Sequence, residues 1–324
     1  MTDSALFGVL MARIASGLLT LVLVSGLIFA AVAVLPGDYA KTALGRSATP
    51  ETVAAFRTKL GLDQPAPLRY VKWMKSAAQG DLGLSLSSGA GQPRTVVSII
   101  GPRLKSTLLL AGITAALAIP IALILGVIAA MTRNSWIDRS LNTLSLASIS
   151  FPEFFVAYVL MLFFAVRLPI FYSTARITAE MGMVETLERL ALPIITLAFG
   201  IVAHMMRMTR AAIIGVLSHP YIEMARLKGV GPWRLILVHA LPNALAPIAA
   251  VIAFNLAYLI VGVVVVEVVF VYPGIGQAMI DAVRSRDIPV VQGCALIFAV
   301  AYISLNLLAD LVAIVSNPRL AHPK

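Results

Sequence analysis

Six apolar runs punctuate the chain, at approximately 14–34, 107–131, 141–166, 190–214, 244–271 and 290–315. A helix needs about 20 residues to cross about 30 Å of hydrocarbon at about 1.5 Å per residue, and every run is that long. Lipid offers no partner to backbone N–H and C=O groups, so each run reads as a helix. The first run, preceded by Arg13, also ends on Ala31-Val32-Ala33, which resembles a signal-peptidase site. Its apolar length exceeds the roughly 7–15 residues of a signal core, so it is taken as a retained span.

The polar stretch after the first span carries its own helical pattern. Thr49 can cap a helix with Pro50 at its first position, running through Ala54, Phe56 and Leu60 to a stop at Gly61. Tyr70, Trp73, Met74 and Ala77 recur at helical spacing within 68–78, and Gly80 and Gly83 then mark a turn. The expected architecture is all-α: six transmembrane helices with a small helical extracytoplasmic cap. Its divisions are 1–37 (N-terminus and first span), 38–105 (cap), 106–315 (five-helix core) and 316–324 (cytoplasmic tail).

Composition agrees with a membrane location, since 60% of the residues are hydrophobic and 12% charged, against about 25% charged in soluble domains. The formal charge of +10 comes from basic residues scattered between apolar runs. That distribution fits topology signals and lipid headgroups, not nucleic acid. The single cysteine, Cys294, rules out an intrachain disulfide or a cysteine metal site.

A polar segment at 215–242 separates the fourth and fifth spans. Ser218 can cap a short helix with Pro220 in its first turn and Gly229 as its stop, and a second short helix over 232–240 would end near Pro242. Such a segment can rest on headgroups or dock a partner. Elsewhere the chain lacks a phosphate-binding loop: the run from Gly101 to Thr107 has neither the spacing nor the Gly-Lys pair. HExxH, calcium-loop and GxSxG patterns are absent as well, so the chain is expected not to be an enzyme, with no cofactor or metal of its own.

Glu223-Met224-Ala225, Gly229 and Leu241-Pro242 resemble the Glu-Ala-Ala…Gly…Leu-Pro motif of ABC-importer permeases, with Met224 in place of the first alanine and His239 where an apolar residue is usual. Further landmarks resemble the first-subunit type of the dipeptide, oligopeptide and nickel permease family. They are Leu35-Pro36-Gly37-Asp38, Gly80-Asp81-Leu82-Gly83, Arg207 with Arg210, Glu267, Phe270, Tyr272-Pro273-Gly274-Ile275-Gly276, and Asn317-Pro318-Arg319. The resemblance implies a second homologous permease subunit, two ABC ATPase subunits carrying ATP and Mg, and an extracytoplasmic solute-binding protein. It also assigns ATPase coupling to Glu223, Ala225, Gly229, Leu241 and Pro242. Peptides, nickel, glutathione, peptide antibiotics and opines all remain open as solutes.

Ionisable groups inside a bilayer need a partner or a water-filled cavity. Glu153, 12 residues into the third run, is expected roughly 18 Å from its cytoplasmic end. His204 stands at a similar, more cytoplasmic depth. Glu153, His204, Asn255 and Tyr258 are the substrate-path candidates, with a Glu153–His204 contact or helix packing as the structural alternative. Glu267, Asn306 and Asp310 read as helix contacts, and Met205, Met206 and Met208 as packing. A rival class is a proton-coupled secondary transporter working through Glu153 and His204. It leaves the 215–242 motif unused and lacks visible inverted repeats.

With both termini in the cytoplasm, the cytoplasmic segments hold ten basic residues (Arg13, Arg133, Arg139, Arg207, Arg210, Arg226, Lys228, Arg234, Arg319, Lys324). The short external loops hold five (Arg167, Arg176, Arg189, Arg284, Arg286), the bias expected of that orientation, and the remaining ten lie between Lys41 and Lys105, a segment too long for the rule to govern. Ser88→Cys should therefore react with a membrane-impermeant thiol reagent in intact spheroplasts while Ser218→Cys is protected; the opposite pattern inverts the topology.

Overall fold

The structure, a computed structural model, describes residues 3–34, 48–59, 61, 63–87, 94–178 and 180–316. Leu35-Pro36-Gly37-Asp38, Leu60, Ser88 and Asn317-Pro318-Arg319 lie outside the described residues. The helices are α1 (Asp3–Val34), α2 (Pro50–Lys59), α3 (Ala66–Ala78), α4 (Val96–Met131), α5 (Trp136–Ser150), α6 (Glu153–Met161), α7 (Met183–Leu217) and α8 (Pro220–Leu227). They are followed by α9 (Pro232–Val269), α10 (Ile275–Arg284) and α11 (Ile288–Ser316). Among the described residues, α1, α4, α7, α9 and α11 are long and apolar enough to cross a membrane, and the bent pair α5–α6 meets the same test only when its two helices are counted together, which would bring the number to six.

That pair corrects the reading of 141–166 as one continuous helix: α5 and α6 meet at 99°. Proline crowds the residue before it out of the helical region, and Phe151 is accordingly extended (φ −90°, ψ 131°). Ser145, Ser148 and Ser150 each donate their hydroxyl to the carbonyl four residues back, a bond that favours bending. Beyond Met161 the chain widens into a π-turn, Leu162–Arg167. α4 starts at Val96 although its apolar run starts near 107, because hydropathy marks the stretch in lipid and not the helix ends.

The chain divides into two compact units. In the first, built on Leu109–Tyr272, α4, α6, α7 and α9 enclose an apolar core that includes Leu110, Leu190, Leu197, Met205, Leu259, Phe270 and Tyr272. Gly126 lets α4 and α7 approach closely: a Cβ there would stand 2.7 Å from the Thr209 Cβ. Met205 and Met206 pack in this interior as expected, whereas Met208 is exposed. Asp310 of α11 accepts an ion pair from Arg13 of α1 at 3.0 Å, and Asn306 bonds the Tyr302 carbonyl. Glu267 is fully buried.

In the second unit, Thr49 and Thr52 cap α2 reciprocally: the Thr52 amide donates to Thr49 Oγ1 and the Thr49 amide to Thr52 Oγ1. Gly61 then stops the helix at φ 65°. Helix α3 lays its aromatic residues on α1, with Tyr70 and Trp73 against Phe29 and the Tyr70 hydroxyl bonded to Ser25 and the Val22 carbonyl. Amphipathic α10 was not foreseen, although Ile275, Met279 and Ala282 alternate with Gln277, Asp281 and Arg284 at helical spacing.

Asp287, 2% exposed, joins the turn after α10 to the segment following Gly83. Its carboxylate accepts from the hydroxyls of Ser85 and Ser87 and from the amides of Leu86 and Ser87. Removing the acceptor leaves the buried Ser85 hydroxyl unsatisfied, at a cost of about 1–3 kcal/mol. Asp287→Ala should therefore lower the apparent Tm of the purified protein and speed tryptic cleavage at Arg94, read by peptide mass; an unchanged Tm and cleavage rate would refute this role.

Candidate functional site

Two groups of residues in the first unit carry candidate chemistry. The segment between α7 and α9 is built around a helix of 8 residues, α8, whose N-cap is His219 and whose first position is Pro220. The expected cap, Ser218, instead closes α7 and donates its hydroxyl to the Gly215 carbonyl at 2.7 Å. At the other end the Gly229 amide donates to the Arg226 carbonyl and the Val230 amide to the Ala225 carbonyl, with Gly229 at φ 79°. This crossed pair of bonds closes a helix through a left-handed residue and satisfies its last carbonyls. Ile222, partly buried Ala225 and Val230 pack with Leu235 and Ala240 beneath the helix.

Ala225 thus faces inward as a spacer. Glu223 is exposed, and so are Tyr221 (45%), Met224 (56%) and Leu227 (77%), which recur three residues apart as an apolar stripe on the outer face. Sequence reasoning missed that stripe by weighing Met224 only as a departure from alanine.

The expected second short helix, 232–240, is not separate. Three α-helical residues, Pro232–Arg234, pass through a π-turn, Leu235–Ala240, directly into Leu241–Val269. Pro242 lacks an N–H and its ring crowds the carbonyl four residues back; one widened turn relieves both problems without a break. Leu241 and Pro242 therefore lie within a continuous α9 of 38 residues.

Near this segment, Arg210 forms a bidentate pair with Asp138, Nε to Oδ1 at 2.6 Å and the second nitrogen to Oδ2 at 2.7 Å. Asp138 also accepts from the Asn134 amide and the Asn142 side chain, and its own amide donates to Ser135, the N-cap of α5. Planar fork-to-fork pairing of this kind fixes orientation as well as charge. The sequence flagged Arg210 but gave no partner, because Asp138 lies 72 residues away. Arg207 is exposed.

The second group lies within the spans. The His204 Nδ1 faces the Asn255 Oδ1 at 3.1 Å, and the buried Asn255 amide also donates to the Val251 carbonyl. Asn255 is at the midpoint of Leu241–Val269. Glu153, the first residue of α6, lies instead against Gly262, where a Cβ would stand 2.7 Å from its Oε1. Seven residues separate Gly262 from Asn255, about 10 Å along the helix. The Glu153–His204 contact is therefore not formed, and the depth of about 18 Å drawn from an unbroken third span fails at the bend. Tyr258, half exposed and one turn before Gly262, lies within electrostatic reach of Glu153.

Comparison with known proteins adds the family. The family described as binding-protein-dependent transport system inner membrane component matches residues 122–322, and its N-terminal companion matches 6–90. A probable peptide ABC transporter permease of Sinorhizobium fredii is 34% identical over 310 residues, covering 96% of this chain and 98% of the relative. A glutathione transport system permease protein of Pectobacterium atrosepticum is 35% identical, covering 94% and 95%. Among solved structures, an inward-facing MetNI methionine ABC transporter chain is similar in fold, with a TM-score of 0.57 at 17% identity over 68% of this chain and 97% of that one. The chain belongs to the binding-protein-dependent transport system inner membrane components, as a multi-pass ABC-transporter permease of the bacterial inner membrane.

Proposed function

We propose that this chain is the translocation subunit of an importer that takes up peptides or similar small solutes by alternating access, driven by ATP hydrolysis on separate subunits. Its partners are a second, homologous permease subunit, two ATPase subunits that bind ATP and Mg, and an extracytoplasmic solute-binding protein. The termini and the α8 segment lie in the cytoplasm, and the 48–87 helices lie outside it. The names of the relatives, peptide and glutathione permeases, support the solute class. The basic-residue count supports the orientation.

The observation that carries the coupling role is the construction of α8. Its inner face is packed on Leu235 and Ala240 at the base of α9, and its C-terminus is closed at Gly229, so the helix is joined rigidly to a span. Its outer face offers Tyr221, Met224 and Leu227 with Glu223 beside them, an apolar strip with a carboxylate edge suited to a groove on an ATPase. A push on that face is passed to α9 without a hinge, because the π-turn keeps the helix continuous. The proton-coupled alternative has less support, since His204 is held by Asn255 and Glu153 lies about 10 Å along α9 from that pair.

Met224→Asp should weaken ATPase co-purification by at least about tenfold, the effect of losing one buried anchor. Gly229→Val forces a β-branched side chain to φ 79°, costing about 1–2 kcal/mol, and meets no neighbouring atom. That variant should insert normally yet lose solute-stimulated ATP hydrolysis in the reconstituted complex. Wild-type association and stimulation in both variants would remove α8 as the coupling element.

A further inference from the structure

The Glu153 carboxylate has no hydrogen bond or ion pair among the described residues, yet it lies at the bend of the apolar α5–α6 pair. It is half-buried, held at the first residue of α6 and pressed against the backbone of α9 at Gly262. Hydrocarbon around such a group would leave a negative charge uncompensated. The positive end of the α6 dipole supplies only about half a unit charge. Other polar groups of the first unit are committed elsewhere: His204 to Asn255, Asn255 also to the Val251 carbonyl, and Arg210 to Asp138. Tyr258, one turn before Gly262, lies within electrostatic reach of the carboxylate, on a side of α9 where Phe254 (47%), Tyr258 (50%) and Val261 (55%) are uncovered.

From this arrangement we infer that Glu153, backed by Gly262 and flanked by Tyr258, receives the ammonium group of an amine-bearing solute as it crosses the membrane domain. The assignment rests on the importer reading above and deepens it. A carboxylate at a helix start accepts a charge-assisted N–H bond, and an exposed aromatic ring one turn from Gly262, Tyr258, can add a cation–π contact. Peptides and glutathione, the solutes named for the relatives, both present a primary amine. Glycine at 262 is part of the site: any side chain there must displace the carboxylate, since even a Cβ would meet Oε1 at 2.7 Å and Oε2 at 3.1 Å.

The test is uptake by the complete importer, with its binding protein, reconstituted in proteoliposomes, using trialanine, glutathione and N-acetyl-trialanine as probes. Glu153→Gln should cut trialanine and glutathione uptake about tenfold, the size expected for one hydrogen bond to a charged group. Subunit co-purification should stay at wild-type levels. Glu153→Asp, which keeps the charge, should restore most of the uptake, and Gly262→Ala should lower it while leaving the charge in place. N-acetyl-trialanine, wherever carried, should be indifferent to Glu153→Gln. Uptake unchanged in Glu153→Gln overturns the proposal, as does an equal loss for free and acetylated peptide. Loss of the second permease subunit on purification also overturns it, since the cation would then be that subunit's. A wild-type complex that carries neither amine removes the amine assignment while leaving the importer reading intact. A complex in which this chain recruits no ATPase instead defeats the importer reading itself.

Discussion

Lipid gives a peptide group nothing to bond to, and the whole chain is arranged around that constraint. Each unpaired N–H or C=O in hydrocarbon costs several kcal/mol, so a proline in a span must be absorbed locally. Two positions show two solutions. At Pro152 the helix breaks outright, with Phe151 extended and serine hydroxyls of α5 bonding carbonyls of the preceding turns. At Pro242 the helix survives, because a π-turn immediately before it makes room for the ring. The first solution starts a new helix at Glu153, and the second welds the 232–240 segment to a span. Both functional readings descend from how those two prolines are accommodated.

The same constraint governs polar side chains. Asp138 is satisfied by Arg210, Asn134 and Asn142, and Asp287 by two serines and two amides. Each is almost fully buried, and each ties together residues distant in sequence. A carboxylate saturated with donors and one short of them are physically different objects: the first fixes geometry, while the second retains binding capacity. Glu153 is of the second kind, and a carboxylate of that kind is where the chain can interact with something it does not itself contain.

Much of the fold was legible because membrane helices announce themselves by length and apolarity. The apolar runs, the Thr49 and Gly61 ends of α2, the aromatic face of α3 and the glycine stop at 229 follow from local rules acting over a few residues. The candidate site was only partly legible. The residues of interest, Glu153, His204, Asn255 and Tyr258, could be named as polar groups in apolar runs. Their grouping could not, because it depends on a bend of 99° that moves Glu153 off the axis assumed for it. Phe151-Pro152 marked a weak point in the helix, but a proline in a span is compatible with a mild kink or a full break. Tertiary packing makes that choice, and no local signal encodes it.

The 215–242 segment shows a similar division between motif and structure. The sequence motif selects Glu223, Ala225 and Gly229 as one group, yet they do three separate jobs. Gly229 supplies a backbone conformation, Ala225 a small inward contact that lets α8 lie close to α9, and Glu223 an exposed charge. The exposed outer face of α8 is made instead by Tyr221, Met224 and Leu227, three residues apart. Side chains that set a helix's seat are constrained by this chain alone. Those on its outer face are not, so Met224, exposed and outside the contacts that seat α8, can replace a smaller residue and leave that seat unchanged.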